Sequence, residues 1–105
     1  DGFPRGCGFT DIDAAVEFDG RMLIMEGKWW NGHGEIQPVP VGQRIFLERL
    51  TALGIDVRVL YGVPADDNPL ALYDVGTRTT LDWRGLEIED RRVALKREID
   101  RVMSL

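Results

Sequence analysis

Three residues in the N-terminal third of the chain have types and spacing suited to metal-assisted chemistry on a phosphodiester: Asp13, Glu26 and Lys28. A turn connects them. Asp19-Gly20, set between two apolar-rich runs, is the strongest short-range signal for a two-residue hairpin loop. With these two residues at its centre, Phe18 faces Arg21, and counting outward along both arms puts Asp13 opposite Glu26 and Asp11 opposite Lys28. Side chains alternate along a strand, so residues 11, 13, 15 and 17 share a face with 22, 24, 26 and 28, while Val16, Phe18, Leu23 and Met25 point the other way. Two carboxylates and a lysine thereby converge at the open end of one hairpin. Opposed carboxylates about 5 Å apart at Cβ repel unless a positive group lies between them, and a divalent cation is the simplest such group. Asp13, Glu26 and the Gly27 carbonyl make an open oxygen-ligand site for Mg2+ or Mn2+, completed by waters and phosphate oxygens. A lysine beside the metal can orient or deprotonate the attacking water and stabilise charge on the phosphate. The plainer alternative is a solvated hairpin face with a cross-strand salt bridge. Asp11 can serve as a further ligand or simply pair with Lys28.

The elements that must position these groups follow from pattern. Residues 12–18 and 21–28 read as the hairpin strands, and 29–42, with Gly32, Gly34, Gly42, Pro38 and Pro40, as a long loop. Ile45, Phe46, Leu47, Leu50 and Leu53 predict a helix over 43–53, stopped by Gly54. The β-branched run 55–62 predicts a strand laid against the hairpin after that helix crosses over. A loop at 63–69, one or two short edge strands within 70–83 and a helix over about 86–104 complete a single α/β domain, a small mixed sheet flanked by helices.

Other residues carry weaker signals. Gln43 opens the first helix, where it either makes a local hydrogen bond or contacts phosphate or the attacking water. His33, the one histidine, can approach the phosphate from its glycine-rich loop or simply face solvent. Alternation sends one of Trp29 and Trp30 into the core and the other to the edge of the site, where a ring can stack on a base; Trp30 is assigned that stacking role. Arg91, Arg92, Lys96, Arg97 and Arg101 alternate with acids and read as helix-surface charge.

With 105 residues, 44% of them hydrophobic, the chain supports one core over residues 1–105. The net charge of -5 argues against coating nucleic acid by bulk electrostatics, but carboxylates that hold metal add negative charge themselves. Cys7 is the only cysteine, so neither an internal disulfide nor a Cys-x-x-Cys zinc pair is expected. No apolar run approaches the roughly 20 residues of a membrane span. A cytoplasmic protein with no membrane association is the expectation. The chain begins at Asp1 rather than Met, so it can also be a segment of a longer protein.

The stretch DIDAAVEFDGRMLIMEGK resembles the core hairpin of the PD-(D/E)XK, or restriction-endonuclease-like, nucleases, in which an Asp precedes a Glu-x-Lys by about a dozen residues. Asp13, Glu26 and Lys28 stand at the three motif positions, and Gln43 matches a glutamine that several branches of the family carry near the start of the next helix. The likeness covers roughly residues 9–62 and is similar to small phage-encoded nucleases and Holliday-junction resolvases. It implies a restriction-endonuclease-like core, hydrolysis of DNA phosphodiester bonds with Mg2+ or Mn2+, and catalysis by Asp13, Glu26, Lys28 and Gln43. Nucleic acid would be contacted by Trp30, His33 and Gln43. A chain this small offers little surface to embrace a duplex, so a homodimer or larger assembly is expected. The competing expectation, supported by the acidic net charge, is a nuclease-fold module without turnover that binds nucleic acid or a protein.

Overall fold

The computed structural model describes residues 14–63 and 67–104. In chain order the elements are β1 (Ala14–Phe18), β2 (Arg21–Trp29), α1 (Val41–Ala52), β3 (Asp56–Val63), β4 (Asn68–Asp74), β5 (Thr79–Asp82) and α2 (Ile88–Met103). The strands form one mixed sheet in the order β1-β2-β3-β4-β5, antiparallel except where β2 runs parallel to β3. The described residues form a small α/β fold with five strands and two helices.

The hairpin has the register that the Asp19-Gly20 turn dictates, from Phe18 opposite Arg21 to Ala14 opposite Met25. Asp19 at φ 51° and Gly20 at φ 82° match a type I′ turn, whose twist suits the flanking strands. The Gly20 N–H also donates to Glu17 Oε1 at 2.9 Å. A parallel β2–β3 pair requires a crossover, which α1 supplies. The helix starts at Val41, two residues earlier than expected, because Pro40 in an extended conformation ends the irregular segment and its carbonyl accepts the Arg44 N–H at 2.8 Å.

One face of the sheet carries the main apolar core: Ile24, Val57, Val59, Tyr61 and Ala71 pack with Leu47 of α1 and with Trp30 and Val39 of the β2–α1 loop. Alternation places Arg58 on the other face, beneath α2. Its guanidinium, 5% exposed, is paired with Asp74 at 3.3 Å and lies 3.9 Å from Asp56. Two further arginines fasten this face. Arg21 donates to the carbonyls of Val102 and Ser104 at 3.2 and 2.5 Å, joining β2 to the end of α2. Arg91 donates to the Trp83 carbonyl at 3.1 Å and to Asn68 Oδ1 at 2.8 Å. That corrects the reading of Arg91 as surface charge: it ties the start of α2 to β4.

The expected loop over 63–69 is narrower, since β3 continues to Val63 and β4 begins at Asn68. A register shift at Tyr61/Gly62 brings Pro69 opposite Gly62. A bulge there accommodates a proline that has no N–H for the ladder, and a Cβ on Gly62 would meet the Asn68 carbonyl oxygen at 2.3 Å. Among the described residues, no helix is long and apolar enough to cross a membrane.

Candidate active site

Because α1 returns the chain to a strand parallel with β2, its first turn lies at the end where β2 and β3 finish. In α/β sheets that end is the usual place for a ligand, where strand carboxyl ends and helix amino ends meet. Glu26, Gly27, Lys28 and Trp29 occupy it on β2, and Val41, Gly42 and Gln43 occupy it on α1.

Glu26 is 4% exposed on the face that α1 covers. Gln43 Nε2 donates to Glu26 Oε1 across 2.9 Å, so the first turn of α1 holds the carboxylate in place. The bond is a side-chain link between the helix and the strand that precedes it, neither the local hydrogen bond nor the phosphate contact expected of Gln43. The other end of the amide, Gln43 Oε1, is buried and has no hydrogen-bond partner among the described residues. A buried acceptor without a donor is costly, and beside a carboxylate it adds a second hard oxygen of the kind that magnesium and manganese favour.

Lys28 follows on the same face of β2, across from Tyr61 of β3. It is half-buried and separates two clefts. One, of ≈ 240 Å³, is walled by Trp29, Trp30, Tyr61 and the Gln37–Pro40 strap; the other, of ≈ 260 Å³, lies toward Asn68, Pro69 and Leu95. Among the described residues Lys28 makes no ion pair.

The glycine-rich loop is held down rather than projecting. Arg84 stacks over the Trp30 ring with Cζ 4.8 Å from its centroid and donates to the carbonyls of Gly32 and Gly34 at 3.3 and 3.0 Å. Asp82 orients this guanidinium through a bidentate pair, and the Arg84 hydrogen bonds hold its carboxyl below the ordinary value. Tyr61 donates to the Gln37 carbonyl at 3.1 Å and meets Trp30 edge-on, with centroids 6.4 Å apart. Burial, and secondarily the neighbouring Tyr73, push the Tyr61 phenol up from its usual value.

The assignment of the stacking role to Trp30 is corrected. Trp30 is 5% exposed, belongs to the core and donates its indole N–H to the His33 carbonyl at 3.2 Å, whereas Trp29 is 69% exposed. The strap and Arg84 roof one ring and leave the other in solvent. His33 contributes its backbone to this arrangement, and its N–H donates to Asn31 Oδ1 at 2.9 Å; its side chain is exposed and does not line the cleft beside Lys28. Gly27 is exposed between Glu26 and Lys28. Asp13 and Asp11 lie outside the described residues. Among the described residues no three His, Cys, Asp or Glu side chains are grouped to hold a metal.

Two contributors to the site were missed from the sequence. Tyr61 faces Lys28 only through the parallel register of β2 and β3, which no short turn fixes. Trp29 was visible as one of a pair, but the choice between the two depended on which face the loop covers. No family model matches the chain, and no curated protein or solved structure does either.

Proposed function

We propose that the chain is a Mg2+- or Mn2+-dependent nuclease with a restriction-endonuclease-like core, hydrolysing DNA phosphodiester bonds. The observation that carries this reading is the placement of a buried Glu26, hydrogen-bonded by Gln43 from the next helix, with Lys28 two residues on along the same face of β2. Strand ends, a helix start and a cleft meet there. Asp13, which the hairpin pattern in the sequence sets opposite Glu26, supplies the second carboxylate of the proposal.

The oxygen donors suit the metal: the Glu26 carboxylate, the Gln43 amide oxygen, unpartnered among the described residues, and the Gly27 carbonyl are all hard ligands. A divalent ion held there would polarise a phosphoryl oxygen and acidify water. Glu26 fixes the position of positive charge, and Gln43 fixes Glu26. Lys28, with a flexible stem and three N–H donors, holds the water or the phosphate oxygen at the mouth of the cleft.

Calorimetry with manganese on the wild type and on an Asp13→Asn, Glu26→Gln variant, paired with a DNA cleavage assay, tests the proposal. Manganese binding and cleavage by the wild type alone support it; equal metal binding by both proteins, or none by either with DNA present, counts against it. One observation favours a second reading. The net charge of -5 leaves little attraction for a polyanion, which suits a nuclease-fold module that binds a partner without turnover. In that case Glu26→Ala leaves partner binding intact and the wild type cleaves nothing.

A further inference from the structure

The ≈ 240 Å³ cleft beside Lys28 has features that the nuclease reading alone does not use. Its walls are Trp29, Trp30 and Tyr61, with Pro38, Val39 and Pro40 of the strap along one side and Lys28 at its mouth. Trp29 is the most exposed aromatic ring of the wall at 69%, on the strand residue directly after Lys28. Leaving so large an apolar ring in water is unfavourable, and a planar partner would remove that cost. The cleft is smaller than the roughly 300 Å³ at which pockets for drug-sized ligands begin, which suits one flat heterocycle rather than a folded ligand or a peptide helix. Its rim carries a cation, and the strap that forms its side is fixed by the Tyr61–Gln37 hydrogen bond, so the slot is formed before anything enters.

We infer that this cleft receives an unpaired nucleobase, and that the substrate is single-stranded DNA or a single-stranded end. The inference rests on the nuclease reading for the neighbouring site and names the class of substrate that site would act on. In a duplex both faces of an interior base are already stacked and no base is free to enter a slot between aromatic side chains; in a single strand every base offers a π-face. A base lying on Trp29 sets the adjoining phosphate next to Lys28, since both residues line this cleft at the end of β2. The net charge of -5 fits the same picture: little long-range attraction to a duplex backbone is available, so binding depends on local stacking and on one or a few phosphate contacts.

The test uses the intact chain and a short oligothymidylate, compared with a blunt duplex of equal length. Binding is followed by anisotropy of a labelled strand and by intrinsic tryptophan fluorescence. Trp83 does not line the cleft and Trp30 does, so the share of the quench that is lost in Trp29→Phe reports Trp29. The expected result is quenching by the single strand but not by the duplex. Trp29→Ala should weaken single-strand binding by about 10-fold or more, the loss of one base stack, and Trp29→Phe should restore most of the affinity while reducing the quench to the part that Trp30 contributes. Equal affinity of wild type and Trp29→Ala, or tighter binding of the duplex, would overturn the inference. So would saturable binding of a polyproline peptide with none of oligothymidylate. Glu26→Gln separates the two proposals. Loss of cleavage with an unchanged quench supports both. Quenching without any cleavage by the wild type in Mg2+ or Mn2+ overturns the nuclease reading alone, and cleavage indifferent to Trp29→Ala overturns the base slot alone.

Discussion

Gln43 and Glu26 are joined by a 2.9 Å hydrogen bond that spans the whole β2–α1 connection, from a carboxylate near the end of β2 to the first turn of the helix. It secures the buried acid and fixes where α1 begins relative to β2. Replacing Gln43 with Leu removes the donor while keeping the volume, so Glu26 loses a partner in a buried position. We expect a loss of about 1–3 kcal/mol in urea unfolding. The double variant with Glu26→Gln should lose less than the sum of the two single changes; strictly additive losses would mean that the bond contributes nothing.

Lys28 offers a contrast, because its amine makes no ion pair among the described residues. Lys28→Met keeps the apolar stem and removes the charge. Under the nuclease proposal cleavage falls about 10²–10⁴-fold, with the urea midpoint close to that of the wild type. A variant that cleaves as well as the wild type would exclude Lys28 from the chemistry.

Two glycines respond to alanine for different reasons. At Gly62 the added Cβ collides with the Asn68 carbonyl at 2.3 Å, and both partners are backbone in paired strands. The strands must separate, and we expect about 1–3 kcal/mol of destabilisation. At Gly20 nothing lies within 4 Å, and the cost comes from φ 82° alone, about 1–2 kcal/mol. Thermal melts of the two variants and of Gly20→Asn distinguish these causes, since asparagine tolerates the left-handed conformation and should recover part of the loss at position 20.

Acid should weaken the fold through Glu98. A side-chain hydrogen bond from Arg101 holds its carboxyl below the ordinary 4.5; burial opposes this, and the charges of Arg101 and Arg58 reinforce it. A carboxyl with a depressed folded-state pKa stabilises fully above its unfolded value and loses that contribution as pH falls through the folded value. Stability measured by urea titration should therefore decline below about pH 4.5 and be less pH-dependent in Glu98→Gln. Asp82, lowered by its bonds from Arg84, acts in the same direction from a more exposed position.

The hairpin was readable to the residue because a two-residue turn leaves no freedom in register: once Asp19 and Gly20 take positive φ, Phe18 must face Arg21. The crossover helix and the following strand were readable from their apolar spacing, although Pro40 moved the helix start to Val41. Long-range packing was not readable in this way. Trp29 and Trp30 differ only in parity, and the one that is buried was decided by Arg84 and the carbonyls of Gly32 and Gly34, 52 and 50 residues away from it in sequence. Arg58 gave a local sign, a lone cation in an apolar strand. Its partner Asp74 arrives through the β3–β4 register, which a distorted hairpin sets.

The guanidinium of Arg21 has an implication for how the chain reaches this state. It closes on the carbonyls of Val102 and Ser104, more than 80 residues later. A hairpin with a type I′ turn forms within microseconds, whereas the cap that ends α2 needs the two ends of a loop of more than 80 residues to meet. During synthesis β2 is complete long before its parallel partner β3 and its clasp at the end of α2 leave the ribosome, so its inner edge waits unpaired. Local closure of the hairpin is fast, whereas a contact of this sequence separation carries a larger loop-closure cost and belongs to the slower steps.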